Sequence, residues 1–313
     1  MIKKRKQSSV AILLCTYQGQ KFIQEQLDSF VCQTFKNWKL YISDDHSIDK
    51  TLDIIKQFRI KTNDRHITLA GPQNGFAANF FSLTEHPDIK EDFYAWSDQD
   101  DIWENHKIMR AVKWLETQPK NRPAVFCSRT CLVDQHNKIL GYSPLFEKPK
   151  AFKNALVQNV GGGNTMVFNQ KARSLFLKAK PDKNSVIISH DWLMYQIVTA
   201  CGGEVFYDDE PLVRYRQHDA NLIGQNNSWM ARYKRFKMML AGRFRYWNDQ
   251  NIKALKALKY DMTPSNYKIF QNWIKLRQSS LIKRLYLLRK SGIYRQTFLE
   301  NITLYIAVFL GKL

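Results

Sequence analysis

The sequence predicts an α/β fold, a mostly parallel sheet flanked by helices, continued by a basic, helical C-terminal extension. Three observations predict it. Through residue 115, short apolar runs alternate with segments whose apolar residues recur every three or four positions, the rhythm of βαβ units. Aspartates gather directly after two of those runs, "DDHS" at 44–47 and "DQDD" at 98–101, and open α/β sheets bind ligands at the carboxyl ends of their strands. Charge is split unevenly: residues 1–210 carry 28 Lys/Arg against 24 Asp/Glu and residues 211–313 carry 20 against 4, so +16 of the net +20 lies in the last third.

In chain order, Val10–Cys15 is apolar throughout and reads as a first buried strand. Ile23, Leu27, Phe30 and Val31 recur at helical spacing, Leu40–Ile42 is a strand, and Leu52, Ile55 and Phe58 mark a helix. Ile67–Leu69 is a short strand, Phe76–Leu83 a helix, Phe93–Trp96 a strand, and Ile108, Val112 and Leu115 a further helix. Beyond Ala124, "AVFCSRTCLVD" reads as a strand and "VGGGNTMVFN" (160–169) as a glycine turn entering another. "HDWLMYQIVTACGG" (190–203) is a helix closed by glycines, and "EVFYDDEPLVRYRQH" (204–218) is extended, with Pro211 marking an edge or a break. From about Asn226 the chain is helical and basic.

Composition narrows the classes. With 44% hydrophobic and 13% aromatic residues the chain can build a real core, which excludes global disorder. Its five cysteines include no CxxC pair, and Cys15, Cys127 and Cys131 lie in strand-like apolar runs, so reduced buried thiols are expected rather than disulfides or a zinc site. The basic start "MIKKRK" resembles a signal peptide, but the apolar run behind it is too short and no cleavage site follows. No run approaches the roughly 20 apolar residues of a membrane-spanning helix.

The aspartates raise the question of chemistry. Asp98, Asp100 and Asp101 follow the apolar run Phe93–Trp96, and three carboxylates in four residues repel unless a cation sits between them. Oxygen donors at that density suit a hard divalent ion, Mg2+ or Mn2+; the plain alternative is a solvated acidic turn with Asp101 capping the next helix. At 44–49, Asp44, Asp45, Ser47 and Asp49 exceed what one helix cap needs, and a carboxylate at a strand end can accept the N3–H of a pyrimidine. "GGGNT" has neither the Gly-Lys-Ser/Thr of a P-loop nor dinucleotide spacing; Gly162, Gly163 and Asn164 either let a ligand or backbone approach closely or form a plain loop.

Taken together, "VAILLCTYQG", "SFVCQTFKNWKLYISDDHSIDKT", "YAWSDQDDIW", "HDWLMYQ" and "YRQHDANLIG" resemble, in that order, the large inverting glycosyltransferase family 2, which has a GT-A fold. The "SDQDDIW" and "YRQH" forms resemble its bacterial rhamnosyltransferase-like members of polysaccharide assembly. The resemblance covers roughly residues 8–225, read as the catalytic domain 1–225, and leaves 226–313 as the extension. It implies that Cys15, Thr16 and Tyr17 contact the nucleotide base; where the family usually has Pro-Thr-Tyr-Asn, this chain has Cys-Thr-Tyr-Gln. It implies that Asp45, with Asp44 beside it, holds the pyrimidine, and that Asp98 and Asp100 form the DxD pair touching the ribose and a divalent metal at the diphosphate. Asp101 would stand close enough to reach the same ion, and His218 would complete its ligands, though a lone histidine is usually a surface or core residue. Asp191 would be the base that deprotonates the acceptor, with a helix cap as the alternative. His190 either lines that pocket or packs, and Arg214 and Arg216 would support the metal site or fork a phosphate. The implied partners are a nucleotide-sugar donor and a glycan or polyprenyl-linked acceptor, at the cytoplasmic face of a membrane.

In the extension, Trp229, Tyr233, Phe236, Leu240, Phe244 and Trp247 fall at steps of three and four with basic residues between them, and "ITLYIAVFL" (302–310) is apolar but too short to span. Such helices either pack on the main domain or lie on anionic lipid, and the lipid-linked acceptors that the resemblance implies favour the second. A basic nucleic-acid-binding protein is the competing class; the excess charge lies outside the motif-bearing region and no nucleic-acid motif occurs, so no nucleic acid is expected.

Overall fold

The structure, a computed structural model, describes residues 7–61, 66–180, 186–217 and 242–313. The first half alternates as expected: β1 (Val10–Thr16), α1 (Ile23–Val31), β2 (Trp38–Asp44), α2 (Thr51–Lys61), β3 (His66–Ala70), α3 (Phe76–Glu85), β4 (Phe93–Ser97), β5 (Ile102–Trp103) and α4 (Lys107–Leu115). There follow β6 (Ala124–Val133), β7 (Ile139–Tyr142), α5 (Phe152–Ala155), a 3-10 turn at Gly163–Thr165, β8 (Val167–Asn169), α6 (Gln170–Lys178), α7 (His190–Ala200) and β9 (Glu204–Arg216). One sheet runs β3-β2-β1-β4-β8-β6-β9-β5, with β7 beside β6. β1 to β4 pair in parallel; β8 enters antiparallel to both β4 and β6. The fold is GT-A, a mixed sheet between helical layers.

β1 shows why its sequence is apolar at every position. Ala11, Leu13 and Cys15 join one core with Trp96, Phe168 and Phe80, while Val10, Ile12 and Leu14 join another with Leu40, Ile42 and Ala95 on the opposite face. Both faces are covered, so no position can be polar until Thr16 at the carboxyl end. β2 and β4 repeat this pattern and end at Asp44 and Ser97, which brings the two acidic segments to the same end of neighbouring strands.

Pro211 takes the break rather than the edge. β9 lies inside the sheet, and its register to β6 jumps from Ser128↔Asp208 to Arg129↔Pro211, a bulge at the proline. Beyond it β9 pairs with the two residues of β5, Ile102↔Arg214 and Trp103↔Val213, which carries Arg216 to the loop that follows β4.

The described part of the extension is helical: α8 (Arg243–Lys256), α9 (Pro264–Gln278), α10 (Leu281–Ser291) and α11 (Phe298–Phe309). α9 starts on a Thr263 cap with Pro264 at its first position, and α11 on a reciprocal Thr297/Glu300 capping box. Leu255, Trp273, Leu288, Leu304 and Val308 share one core with Trp192 and Val198 of α7. Of the aromatic stripe, Phe244 stacks on Trp192 at 6.0 Å and Trp247 meets it edge-on at 6.5 Å, so these two pack inward. Trp229, Tyr233, Phe236 and Leu240 lie outside the described residues. Among the described residues no helix is long and apolar enough to cross a membrane.

Candidate functional site

The carboxyl ends of β1 and β2 build a ring of local bonds. Asp44, buried, accepts from Thr16 Oγ1 (2.7 Å), Ser47 Oγ (2.7 Å) and Ser47 N (2.8 Å). Ser47 Oγ also accepts from Gln18 N, Thr51 Oγ1 from Gly19 N, and Asp49 from Gln20 N. These bonds hold the β1 loop open, with Gln18 in the left-handed region at φ 50°. Asp44, Ser47 and Asp49 are thus loop-forming residues, and Asp45 is the carboxylate left at the strand end. It is half-buried and accepts from Gln73 N at 2.5 Å, which joins the loop after β3 to the wall. Cys15 is buried between the two acidic segments; burial first, then Asp98 and Asp45, push its thiol up. Tyr17 is exposed at the mouth.

The loop after β4 is tied to that mouth through Gln99, the unremarked middle residue of "DQD". Its Oε1 accepts from Tyr17 N and its Nε2 donates to Tyr17 O, both at 2.8 Å. A Cβ on Gly19 would stand 2.3 Å from Gln99 Oε1, so a larger residue there would push the Gln99 amide off the Tyr17 backbone. Asp98 and Asp100 are half-buried beside it. The Asp98 carboxyl is pushed up to about 8, by burial first, then by Asp100 and Asp191.

Asp101 differs from its neighbours. It is fully buried and accepts from Asn164 Nδ2 (2.5 Å) and Arg216 N (3.3 Å), bracketing the β4 loop, the glycine turn and the end of β9. Burial, then Asp100 and Asp98, hold its carboxyl well above the carboxylate range. Lys107 is buried with Nζ 3.3 Å from the centre of the Trp103 ring, and burial lowers its ammonium well below the usual lysine range, with Asp101 opposing that shift. The sequence offered Asp101 as a third ligand and Asn164 as a pocket residue; their mutual bond makes them a brace instead. Arg216 is corrected likewise. Its guanidinium is fully buried and donates to Asp100 O (2.9 Å), Gln135 O (2.9 Å) and Glu25 (3.0 Å), so it fixes the DxD backbone rather than forking a phosphate. Arg214 pairs with Glu104 at 2.7 Å. His218 lies outside the described residues.

Across from the DxD loop, α7 brings in Asp191. Its cap position is Ser189, so Asp191 belongs to the first turn of the helix. Its carboxylate accepts from Trp192 N (2.7 Å), from Ser189 Oγ and, through Oδ2, from Gly163 N (3.1 Å), which anchors the glycine turn to the helix. His190 is packed rather than pocket-lining: it stacks on Phe80 at 4.1 Å and meets Trp96 edge-on at 4.7 Å. Neither ring nitrogen has a hydrogen-bond partner among the described residues, and burial lowers it to about 4, so the ring is neutral at pH 7. A Cβ on Gly163 would stand 2.3 Å from His190 Nε2, so the close approach that the glycine turn allows is to this ring. Gly162 carries the turn's first carbonyl, accepting from Thr165 N and Oγ1.

Tyr215 was not singled out in the sequence, yet it reports the whole arrangement. Burial first, then Asp101, Asp98, Asp100 and Asp191, raise its phenol, so all four aspartates lie within electrostatic reach of one hydroxyl. Its place in "RYRQH", one residue from Arg216, was the available signal.

These residues fit a divalent cation. Among the described residues no three His, Cys, Asp or Glu side chains form a ready cluster. An ion held with a diphosphate does not require one, because Mg2+ takes one or two carboxylates plus phosphate oxygens and water. Among the described residues no hydrogen bond is made to the Asp98 carboxylate, and Asp100 and Asp191 load it with like charge, a situation that a cation relieves. A cleft lined by Ser9, Lys90, Glu91, Tyr94 and Arg173 opens at the amino ends of β1 and β4, away from these carboxylates.

Comparison with known proteins agrees with this geometry. The family model for glycosyl transferase family 2 matches residues 11–176, from β1 through α6, and stops short of Asp191. The dTDP-rhamnosyl transferase RfbG of Shigella flexneri is 29% identical over 267 residues, 81% of this chain and 87% of that one. Among solved structures, S. aureus TarS (residues 1–349) in complex with UDP-GlcNAc aligns over 96% of this chain and 90% of its own, at 11% identity and a TM-score of 0.53. The mannosyltransferase PcManGT of Pyrobaculum calidifontis, in complex with GDP-Man and Mn2+, aligns over 97% and 86%, at 12% identity and a TM-score of 0.52. With a matched segment covering more than half its length and the carboxylates gathered at the strand ends, the chain belongs to glycosyl transferase family 2.

Proposed function

We propose that this glycosyltransferase moves a sugar, rhamnose from dTDP-rhamnose, onto a glycan or polyprenyl-linked glycan acceptor at the cytoplasmic face of a membrane, inverting the anomeric carbon and using Mg2+ or Mn2+. In this reading residues 1–225 are the catalytic unit and 226–313 the extension that serves the membrane. The observation that carries it is that Asp100 and Asp191, from the loop after β4 and the start of α7, both act on the Asp98 carboxylate, which accepts no hydrogen bond among the described residues. The similarity to a dTDP-rhamnosyl transferase supports the donor.

Asp45 accepts the N3–H of a thymine or uracil ring; its place at the end of β2, with Asp44 taken up by Ser47 and the loop after β3 bonded to Asp45 through Gln73 N, supports this role. Asp98 and Asp100 hold the cation, which when bound offsets charge on the departing nucleoside diphosphate. Arg216 fixes the Asp100 backbone, so the pair keeps its spacing when the donor arrives. Asp191, oriented by Gly163 N and Trp192 N, takes the proton of the acceptor hydroxyl as its oxygen bonds to the anomeric carbon and the bond to the diphosphate oxygen breaks. One in-line displacement inverts configuration.

The test is nucleoside diphosphate release by purified protein with Mn2+ or Mg2+ across a panel of dTDP-, UDP- and GDP-sugars, with the product anomer read by NMR. Turnover with dTDP-rhamnose, its loss in EDTA and an inverted product are expected. Preference for a UDP-hexose overturns the donor, undiminished turnover in EDTA the cation, and a retained anomer the single displacement.

A further inference from the structure

α11 has an unusual surface. One side is buried through Leu304, Ala307 and Val308. The opposite side exposes Phe298, Ile302, Tyr305, Ile306 and Phe309, which at 100° per residue lie within an arc of about 100°. Phe298 is 77% exposed and Phe309 60%. A helix apolar on both sides is normally buried on both, and a contiguous exposed ridge of this kind marks a contact surface.

Charge identifies the occupant. Residues 281–313 carry 6 Lys/Arg and one acid, Glu300, whose carboxylate is engaged by Gln158 and the Thr297 cap. α10 packs beside α11, with Arg284 Nη1 donating to Val308 O at 2.9 Å. It exposes Ile282 and Tyr286 among the exposed Lys283, Arg289 and Lys290. A second copy of a chain with net charge +20 would set like charges against each other at this face. A nucleic acid would engage the lysines and leave the aliphatic and aromatic ridge in water. An anionic bilayer answers both features: acidic headgroups for the basic residues and an acyl boundary for the ridge.

We infer that α11, flanked by the basic face of α10, lies in the plane of an anionic membrane and docks the enzyme there. This names the surface for the membrane part of the proposed function and rests on that part alone. The stripe that the sequence suggested is not the surface at Phe244 and Trp247, which are packed on Trp192. The docking helix is also bonded to the acceptor side of the site. Arg295, just before α11, donates through Nε and Nη2 to Val157 O (3.1 and 2.9 Å), and Glu300 accepts from Gln158 Nε2. Val157 and Gln158 lead directly into the Gly161–Gly163 turn that anchors Asp191. A helix lying in the headgroups thus sets this turn near the place where a lipid-linked acceptor emerges.

The test is co-sedimentation of the full chain with vesicles of phosphatidylglycerol and phosphatidylcholine, or of phosphatidylcholine alone, at low and high salt. The parent chain should bind the anionic vesicles, and binding should fall at high salt. Ile302→Ser/Phe309→Ser, at exposed positions, should keep its melting temperature and its transfer to a soluble acceptor while losing vesicle affinity about tenfold or more. Lys283→Glu/Lys290→Glu should lose anionic binding specifically, and it decides the matter if the first variant folds poorly. A parent chain that ignores anionic vesicles overturns the whole membrane reading. Variants that bind as the parent does overturn this surface and move docking to another face. Variants that instead dissociate a dimer in sedimentation velocity assign the ridge to a second copy. Transfer to the soluble acceptor is read in parallel, so loss of the enzymatic reading is seen separately.

Discussion

Gly163→Ala isolates the contact that holds the glycine turn against α7. The new Cβ would stand 2.3 Å from His190 Nε2 and 3.1 Å from its Cε1. Ordinary contact needs about 3.5 Å, so ring or turn must yield by roughly 1 Å. The ring cannot yield easily, because it is 5% exposed and held between Phe80 and Trp96. Overpacking of this kind costs about 1–3 kcal/mol, and at ~2–4 °C per kcal/mol the melting temperature should fall by roughly 2–12 °C. If the turn yields instead, the Gly163 N bond to Asp191 Oδ2 at 3.1 Å is lost. A misplacement of about 1 Å then lowers turnover by ~100-fold. His190→Ala removes the opposing ring, so adding Gly163→Ala to that background fills vacated space at little further cost. Thermal melts and transfer rates of the two single variants and the double variant form a cycle with an expected coupling of about 1 kcal/mol or more, beyond the ~0.3–0.5 kcal/mol scatter of independent sites. Strict additivity, or a Gly163→Ala protein matching the parent in both stability and turnover, refutes the contact as the reason for glycine here.

Asp191→Asn keeps shape and should still bind donor and cation while turnover falls by about 100-fold or more; joint loss of donor binding and melting temperature would make it a structural residue, as measured by calorimetric titration with a nucleoside diphosphate. The cation-free protein should lose stability as pH rises. Asp98 has a folded pKa of about 8, raised by burial, Asp100 and Asp191, so its contribution is complete below the unfolded value near 4 and is lost through about pH 8. Melts between pH 5 and 9 should show this slope in the parent and a shallower one in Asp98→Asn, and Mn2+ should tighten with pH over the same window as it displaces that proton; equal slopes would remove Asp98 as their source. Gln99→Ala should free the β1 loop from the DxD loop and weaken nucleotide binding with a small effect on the global melt, read by titration with dTDP, and unchanged affinity would make the reciprocal bonds to Tyr17 incidental.

The sequence by itself determined the order of the longer elements through α4 and where the carboxylates gather. Strands buried on both faces demand continuous apolar runs, so β1, β2 and β4 are legible within windows of a few residues. The carboxylates that follow them break the apolar runs and so mark the strand ends, and the ordered motifs declared the family. Two short elements left no such mark: two residues in β5 and four in α5 span about one period of any pattern or less, whereas the three residues of β8 were legible only through the glycine turn before them. Tertiary structure alone decided which aspartate is buried and what it bonds. Asp100 and Asp101 are adjacent and chemically identical, yet one is half-buried and the other is fully buried against Asn164, 63 residues away. Arg216 is buried because the bulge at Pro211 carries β9 to Asp100, 116 residues back in the chain. Phe244 and Trp247 fell on a stripe that fitted a bilayer or a protein core equally well, and Trp192 settled it. Local periodicity says that a side chain must be covered; what covers it depends on segments that meet only when the sheet closes.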